Sequence, residues 1–142
     1  MSDQPSLTEM IDAIIKTFIV AHADDTDAHL AQALVYNAGR LAWRLREQGV
    51  NVEQKTSVSD VVTDADFAAE RFVAGVLEAL RGEDGIVGEE GANRESASGR
   101  TWVVDPVDGT YNFASGSDYW CSALALVDAV GVILGAVHRP AM

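Results

Sequence analysis

WVVDPVDGTYNF, residues 102–113, decides how this chain is read. The apolar Trp102, Val103 and Val104 run as a buried strand would, straight into Asp105 and Asp108, with Pro106 fixing one backbone angle between them and Gly109 permitting a sharp turn after them. Both carboxylates and the backbone carbonyl of Val107 are therefore expected at the carboxyl end of one strand. Gly109 and Thr110 follow with small side chains and free amides, as a phosphate-binding turn opening a helix would. A second short run, IVGEE at 86–90, also ends in acid, at Glu89 and Glu90. If the two strands are neighbours, several carboxylates meet at one edge of a sheet.

Working outward, apolar residues at three- and four-residue steps predict a helix from Leu7 to about Ala23. A second helix follows, capped by Asp25 or Thr26, with Leu30, Leu34, Leu41 and Leu45 along one side and Arg44 and Arg46 near a terminating Gly49. Residues 51–57 alternate loosely, as a strand or hairpin arm does. Ser59 to Asp66 leads into a third helix carrying Phe67, Val73, Val76, Leu77 and Leu80 and closed by Gly82. The remaining apolar runs are IVG, TWVV, CSALALV and VGVILGAV, the last two joined by a turn near Asp128. Helices first and strands later predict an α+β domain, helices packed on one face of a largely antiparallel sheet. EGANRESASGR, residues 90–100, is polar and breaker-rich and reads as a mobile surface loop.

Composition narrows the function. The chain has 142 residues, one domain's worth, and 48% are hydrophobic, which excludes disorder. Its formal charge is −12, with no cluster of Lys and Arg, which argues against nucleic acid as a partner. The N-terminus lacks the pattern of a secretion signal, and the longest apolar tract is shorter than the ~20 residues that span a bilayer as a helix, so no membrane association is expected. With a single cysteine, Cys121, a reducing cytoplasmic setting is the expectation.

Carboxylates packed this closely raise one another's pKa unless a cation intervenes, and neither acidic segment contains Lys or Arg. A divalent metal would supply the charge. The ligands on offer are all oxygens, which selects Mg²⁺ or Mn²⁺ over zinc. The plain alternative is that Asp105 and Asp108 shape a turn while Glu89 and Glu90 are solvated. Metal, phosphate-binding amides and a hydroxyl in one stretch point to phosphoryl chemistry.

On these residues the chain resembles the inositol monophosphatase family of Mg²⁺-dependent, lithium-sensitive phosphomonoesterases. WVVDPVDGTYNF looks like the family's DP(I/V/L)DGT signature, KTSVSDVVTDAD at 55–66 like its upstream segment, and IVGEE like its metal-binding glutamate strand, in the family's order. The resemblance implies that Glu89, Asp105 and the Val107 carbonyl hold one Mg²⁺, and that Asp105 bridges to a second ion also bound by Asp108, with two or three ions in all. It implies that Thr110, hydrogen-bonded to Asp66, positions or deprotonates the attacking water, with Glu89 assisting, and that Asp108, Gly109 and Thr110 bind substrate. One metal would lower the pKa of the nucleophilic water and the other would stabilise the leaving alkoxide. Choosing Glu89 over Glu90 rests on the family's order alone. Asp66 also stands three residues after Thr63, the spacing of a capping pair at a helix start. Lys55 is either near the metals or a surface lysine, and His22, His29 and His138 show no ligand spacing.

The resemblance further implies a small phosphorylated metabolite as substrate, inositol 1-phosphate by default. Histidinol phosphate, a 3′-phosphonucleotide or a sugar bisphosphate are the alternatives, and a homodimer is the implied assembly. Residues 1–142 would form the N-terminal metal-binding domain of a sugar-phosphatase-type αβαβα fold, with the C-terminal α/β domain and its WD-containing motif absent. The expected consequences are an incomplete second metal site, little turnover by this chain alone, and an exposed apolar surface. Two rivals differ in chemistry. A haloacid-dehalogenase-type phosphatase separates its two aspartates by one residue rather than two. A non-catalytic divalent-metal-binding module would use the same acids without turnover.

Overall fold

The computed structural model describes residues 5–50 and 58–140, with the backbone alone at 49, 50 and 58–63. The arm expected over 51–57, and Lys55 with it, lies outside the described residues. The elements are α1 (Leu7–His22), α2 (Asp27–Val50), α3 (Val58–Leu80), β1 (Gly85–Gly88), β2 (Asn93–Arg94), β3 (Thr101–Asp108), α4 (Thr110–Ala114), β4 (Cys121–Val127) and β5 (Val132–His138).

The helix starts follow from their caps. Ser6 Oγ accepts the Glu9 amide at 3.1 Å and donates to the Glu9 carboxylate at 3.2 Å, a reciprocal cap that opens α1. Of the two caps expected for α2, Thr26 acts, accepting the His29 amide at 3.2 Å, while Asp25 pairs with His22 Nδ1 at 2.7 Å. Gly49 falls within α2 rather than ending it.

The sheet order is β2-β1-β3-β4-β5, with β1 and β3 parallel and every other pairing antiparallel. This is the expected α+β arrangement of helices on a largely antiparallel sheet. Along β4 every second residue is buried, and Ser122, Leu124 and Leu126 face the helices. Helices α2 and α3 lie on that face and α1 packs outside α3, with Phe18 edge-on to Phe72 at 5.2 Å. Trp102, Phe72, Ile86, Leu77 and Leu30 fill the core between. The opposite sheet face carries exposed Val87, Val103 and Val137. The β4–β5 turn forms at Asp128, whose Oδ1 accepts the Val130 and Gly131 amides.

Residues 90–100 lie largely at the surface, as their composition predicts, but they are anchored along their length. They contain β2, and beyond it the Ala97 and Ser98 amides donate to Glu83 O while Ser98 Oγ donates to Asp84 Oδ1 at 2.6 Å. Arg100 explains why polar residues order here. It donates to Asp84 Oδ2 at 2.7 Å and to Asp27 Oδ2 at 2.8 Å, while Trp102 Nε1 donates to Asp84 at 2.9 Å and Arg81 Nε to Asp27 at 2.7 Å. This network ties the start of α2 to the leading ends of β1 and β3. No helix among the described residues is long and apolar enough to cross a membrane.

Candidate metal and phosphate site

Strands β1 and β3 are parallel neighbours, with Val87 beside Val103 and Gly88 beside Val104. The chain leaving β1 at Glu89 therefore runs past Asp105 at the same end of the sheet. Helix α3 packs over both strands and adds Asp66 and Glu70, four residues apart and so one turn from each other. Together Asp66, Glu70, Glu89, Glu90, Asp105, Pro106 and Val107 line a cleft of about 10 Å³, room for a single ion or water, with no Lys or Arg in its lining among the described residues.

The electrostatics are those of an uncompensated acidic site. Asp66 is 9% exposed, and its Oδ1 is buried without a hydrogen-bond partner. Burial, and then the charges of Glu90, Asp105, Glu89 and Glu70, push its carboxyl up to about 7. Burial, followed by Glu89, Asp108 and Glu70, pushes Asp105 up to about 6. Glu90 is raised as well, by burial first and then by Glu70 and Glu89. All-oxygen donors, an orphaned buried carboxylate oxygen and mutual repulsion suit a hard dication. As placed, no three His, Cys, Asp or Glu side chains among the described residues stand within reach of one common ion.

Asp105 and Asp108 sit in the carboxyl-terminal half of β3, as expected, with Asp108 its last residue. Between them the β3–β4 register slips, Asp105 facing Ala123 and Asp108 facing Cys121, because Pro106 has no amide to continue the ladder. The slip turns Asp108 into a second, neighbouring cavity of about 370 Å³, lined also by Gly109, Asn112, Tyr119, Cys121 and Arg139. There Cys121 Sγ stands 3.9 Å from Asp108 Oδ2. Burial raises the Cys121 thiol, and Asp108 and Asp105 raise it further. Gly109 caps α4 at φ +97°, where an added Cβ would lie 3.3 Å from Tyr119 O, so the turn requires glycine.

The fold thus collects Asp66, Glu89, Asp105 and Val107 in one cleft and sets Asp108 and Gly109 beside it. Thr110, the exposed first residue of α4, makes no hydrogen bond to Asp66 among the described residues. The capping reading of Asp66 is corrected: α3 begins at Val58, which leaves Asp66 well inside the helix.

Two residues escaped the sequence reading. Glu70 is 2% exposed and accepts the Glu90 amide at 3.1 Å and the Ala92 amide at 3.0 Å. Its one-turn spacing from Asp66 was the available signal. Arg46, read as a charge near the end of α2, is 3% exposed and donates Nη1 to Phe113 O at 3.2 Å and Ser117 O at 2.8 Å. Its guanidinium lies 5.0 Å from the Phe113 ring centroid and 5.8 Å from that of Trp120, so it holds the segment that presents Gly109 and Thr110. No local pattern announces that contact across the sequence.

Known proteins are similar to this chain in sequence and in fold. The sequence profile of the inositol monophosphatase family matches residues 23–142, reaching further toward the N-terminus than the motifs themselves. A histidinol-phosphatase of Mycobacterium tuberculosis is 38% identical over 82% of this chain and 45% of its own length. A fructose-1,6-bisphosphatase/inositol-1-monophosphatase of Thermotoga maritima is 38% identical over 65% of this chain and 35% of its own. The solved structure of an IMPase from Thermotoga maritima superposes with a TM-score of 0.65 at 33% identity, covering 80% of this chain and 44% of that one. The chain spans less than half the length of these relatives. It belongs to the inositol monophosphatase family.

Proposed function

We propose that this chain carries the metal- and phosphate-binding half of a Mg²⁺-dependent phosphomonoesterase. The observation that carries the reading is the cleft that gathers Asp66, Glu89, Asp105 and Val107 at one end of the sheet, with no cation in its lining among the described residues. Glu89, Asp105 and the Val107 carbonyl would hold one ion, and Asp105 and Asp108 a second. Such ions supply a water of lowered pKa and charge neutralisation for an in-line displacement at phosphorus, and lithium would compete for them. Mn²⁺ would substitute for Mg²⁺.

The protein's own groups do the remaining work. Asp66 would take a proton from the nucleophile side, with Thr110 orienting the water and Glu89 assisting. The Gly109 and Thr110 amides, set by the left-handed turn at Gly109, would receive phosphate oxygens. Asp108, exposed at the mouth of the neighbouring cavity, would accept substrate hydroxyls. The substrate is a small phosphorylated metabolite, inositol 1-phosphate on the family's pattern. Histidinol phosphate is the second reading, favoured by the named relative that aligns over 82% of this chain. These 142 residues supply part of a ligand set, so turnover by them alone would be small, and a homodimer would cover part of the exposed apolar sheet face.

Calorimetric titration of Mg²⁺ into the chain with and without inorganic phosphate tests the reading. Cooperative binding, each ligand tightening the other, is expected. Independent binding would leave a metal-binding module without phosphoryl chemistry, and no binding would remove the proposal. Competition between inositol 1-phosphate and histidinol phosphate, with Ca²⁺ in place of Mg²⁺, would rank the two substrates.

A further inference from the structure

We propose that Glu70 is a positioning residue for the acidic site: its two carboxylate oxygens hold the turn from Gly88 to Ala92 so that Glu89 is presented to the cleft beside Asp105. The proposal rests on the reading of that cleft as a dication site. Three observations carry it. The pairing of β1 with β2 covers only Ile86 and Val87 against Arg94 and Asn93, so the amides of the turn between them have no strand partner. Glu70 takes two of those amides, Glu90 N on Oε1 at 3.1 Å and Ala92 N on Oε2 at 3.0 Å, and the turn closes with Gly88 N donating to Ala92 O at 2.8 Å. Finally, the carboxylate sits directly over Gly88: a Cβ there would collide with Oε1 and lie 2.5 Å from Cδ and 2.9 Å from Oε2.

That close approach links two positions eighteen residues apart. Gly88 is glycine because Glu70 occupies the space a side chain would need, and Glu70 is 2% exposed because the turn wraps it. Both of its oxygens already accept charge-assisted bonds from the backbone, which fixes the turn and leaves Glu89 as the carboxylate free to meet an ion. A ligand whose backbone is held in advance does not have to be ordered when the ion arrives.

Mn²⁺ serves as the probe, with free ion measured by electron paramagnetic resonance in the 142-residue chain and in E70Q, E70A, G88A and the E70A/G88A double variant. A glutamine side chain at this position keeps one acceptor and turns an amide donor toward the other N–H, so E70Q is expected to weaken Mn²⁺ binding on the order of 10-fold. The Glu90 and Ala92 amides should exchange faster with solvent in E70Q while β4 and β5 keep their protection. G88A should weaken binding similarly, and E70A/G88A should be no weaker than E70A, since the added methyl then has nothing to displace. Unchanged Mn²⁺ affinity in E70Q, or a Gly88→Ala loss that adds in full to the Glu70→Ala loss, would overturn the role of Glu70 and leave the metal reading standing. Failure of the wild-type chain to bind Mn²⁺ would overturn both.

Discussion

Two residues decide most of the site's character. Asp66 is buried among like charges, so its carboxyl and that of Asp105 hold protons more tightly in the folded chain, at about 7 and about 6, than the ~4 of an unfolded one. Between those limits the folded state carries more protons, and stability must fall as pH rises from ~4 to about 7. We therefore expect the metal-free chain to lose melting temperature across that range and Mg²⁺ to restore it near neutrality. D66N should flatten the slope and raise the metal-free stability at pH 7; a flat wild-type profile would show the repulsion to be absent. Gly109 is a backbone requirement. With φ +97° and Tyr119 O close by, G109A should cost about 1–2 kcal/mol in urea unfolding. The placement of Asp105, Asp108 and Gly109 at one end of β3 was legible in DPVDGT. Their partition between two cavities was not, because it depends on a register slip against β4 that local sequence does not encode.

Helices and strands were legible wherever apolar residues repeat, as along α1, α2, β4 and β5. They were misjudged where polar side chains fold back on the backbone. The anchoring of residues 90–100 was not legible because their partners, Glu83, Asp84 and Asp27, are remote or unremarkable in sequence. In this network Arg100, the stronger of two arginine partners, holds the Asp27 carboxyl below its ordinary range. Burial pushes Asp84 up, but Arg100, Ser98 and Trp102 outweigh it and leave that carboxyl low as well. Depressed carboxyls stabilise above ~4 and lose that contribution as pH falls further, so the metal-free chain should be most stable near pH ~4–5 and unfold on the acid side. R100M should make the acid-side slope shallower, with Arg81 still acting on Asp27 and Ser98 and Trp102 on Asp84. Arg46 acts between elements in the same manner. R46M would leave the Ser117 carbonyl without its donor, while the Phe113 carbonyl still accepts the Gly116 amide, and should cost about 1–3 kcal/mol. Amide exchange should then quicken through residues 109–117 before it does in the core.

At the scale of the molecule, one sheet face is packed by α2 and α3 and the other is uncovered among the described residues, with Val132 72% and Val137 69% exposed along the edge strand β5. An apolar edge of this kind associates with itself unless something covers it. Light scattering should therefore find concentration-dependent oligomers that the pair V132K and V137K shifts toward monomer; a wild-type monomer at all concentrations would contradict this. The residue types alone determined the class of fold, through the succession of 3.6-residue and two-residue periods, and the family, through the DPVDGT and IVGEE motifs in their order. Only the tertiary structure decided which acids meet. Asp66 joins Asp105 because α3 crosses two parallel strands, Glu70 is seated because Gly88 leaves it room, and Asp108 is diverted because Pro106 interrupts a ladder. Periodicity is a property of neighbours along the chain, whereas desolvation and repulsion belong to neighbours in space, and those are set only when the helices close on the sheet.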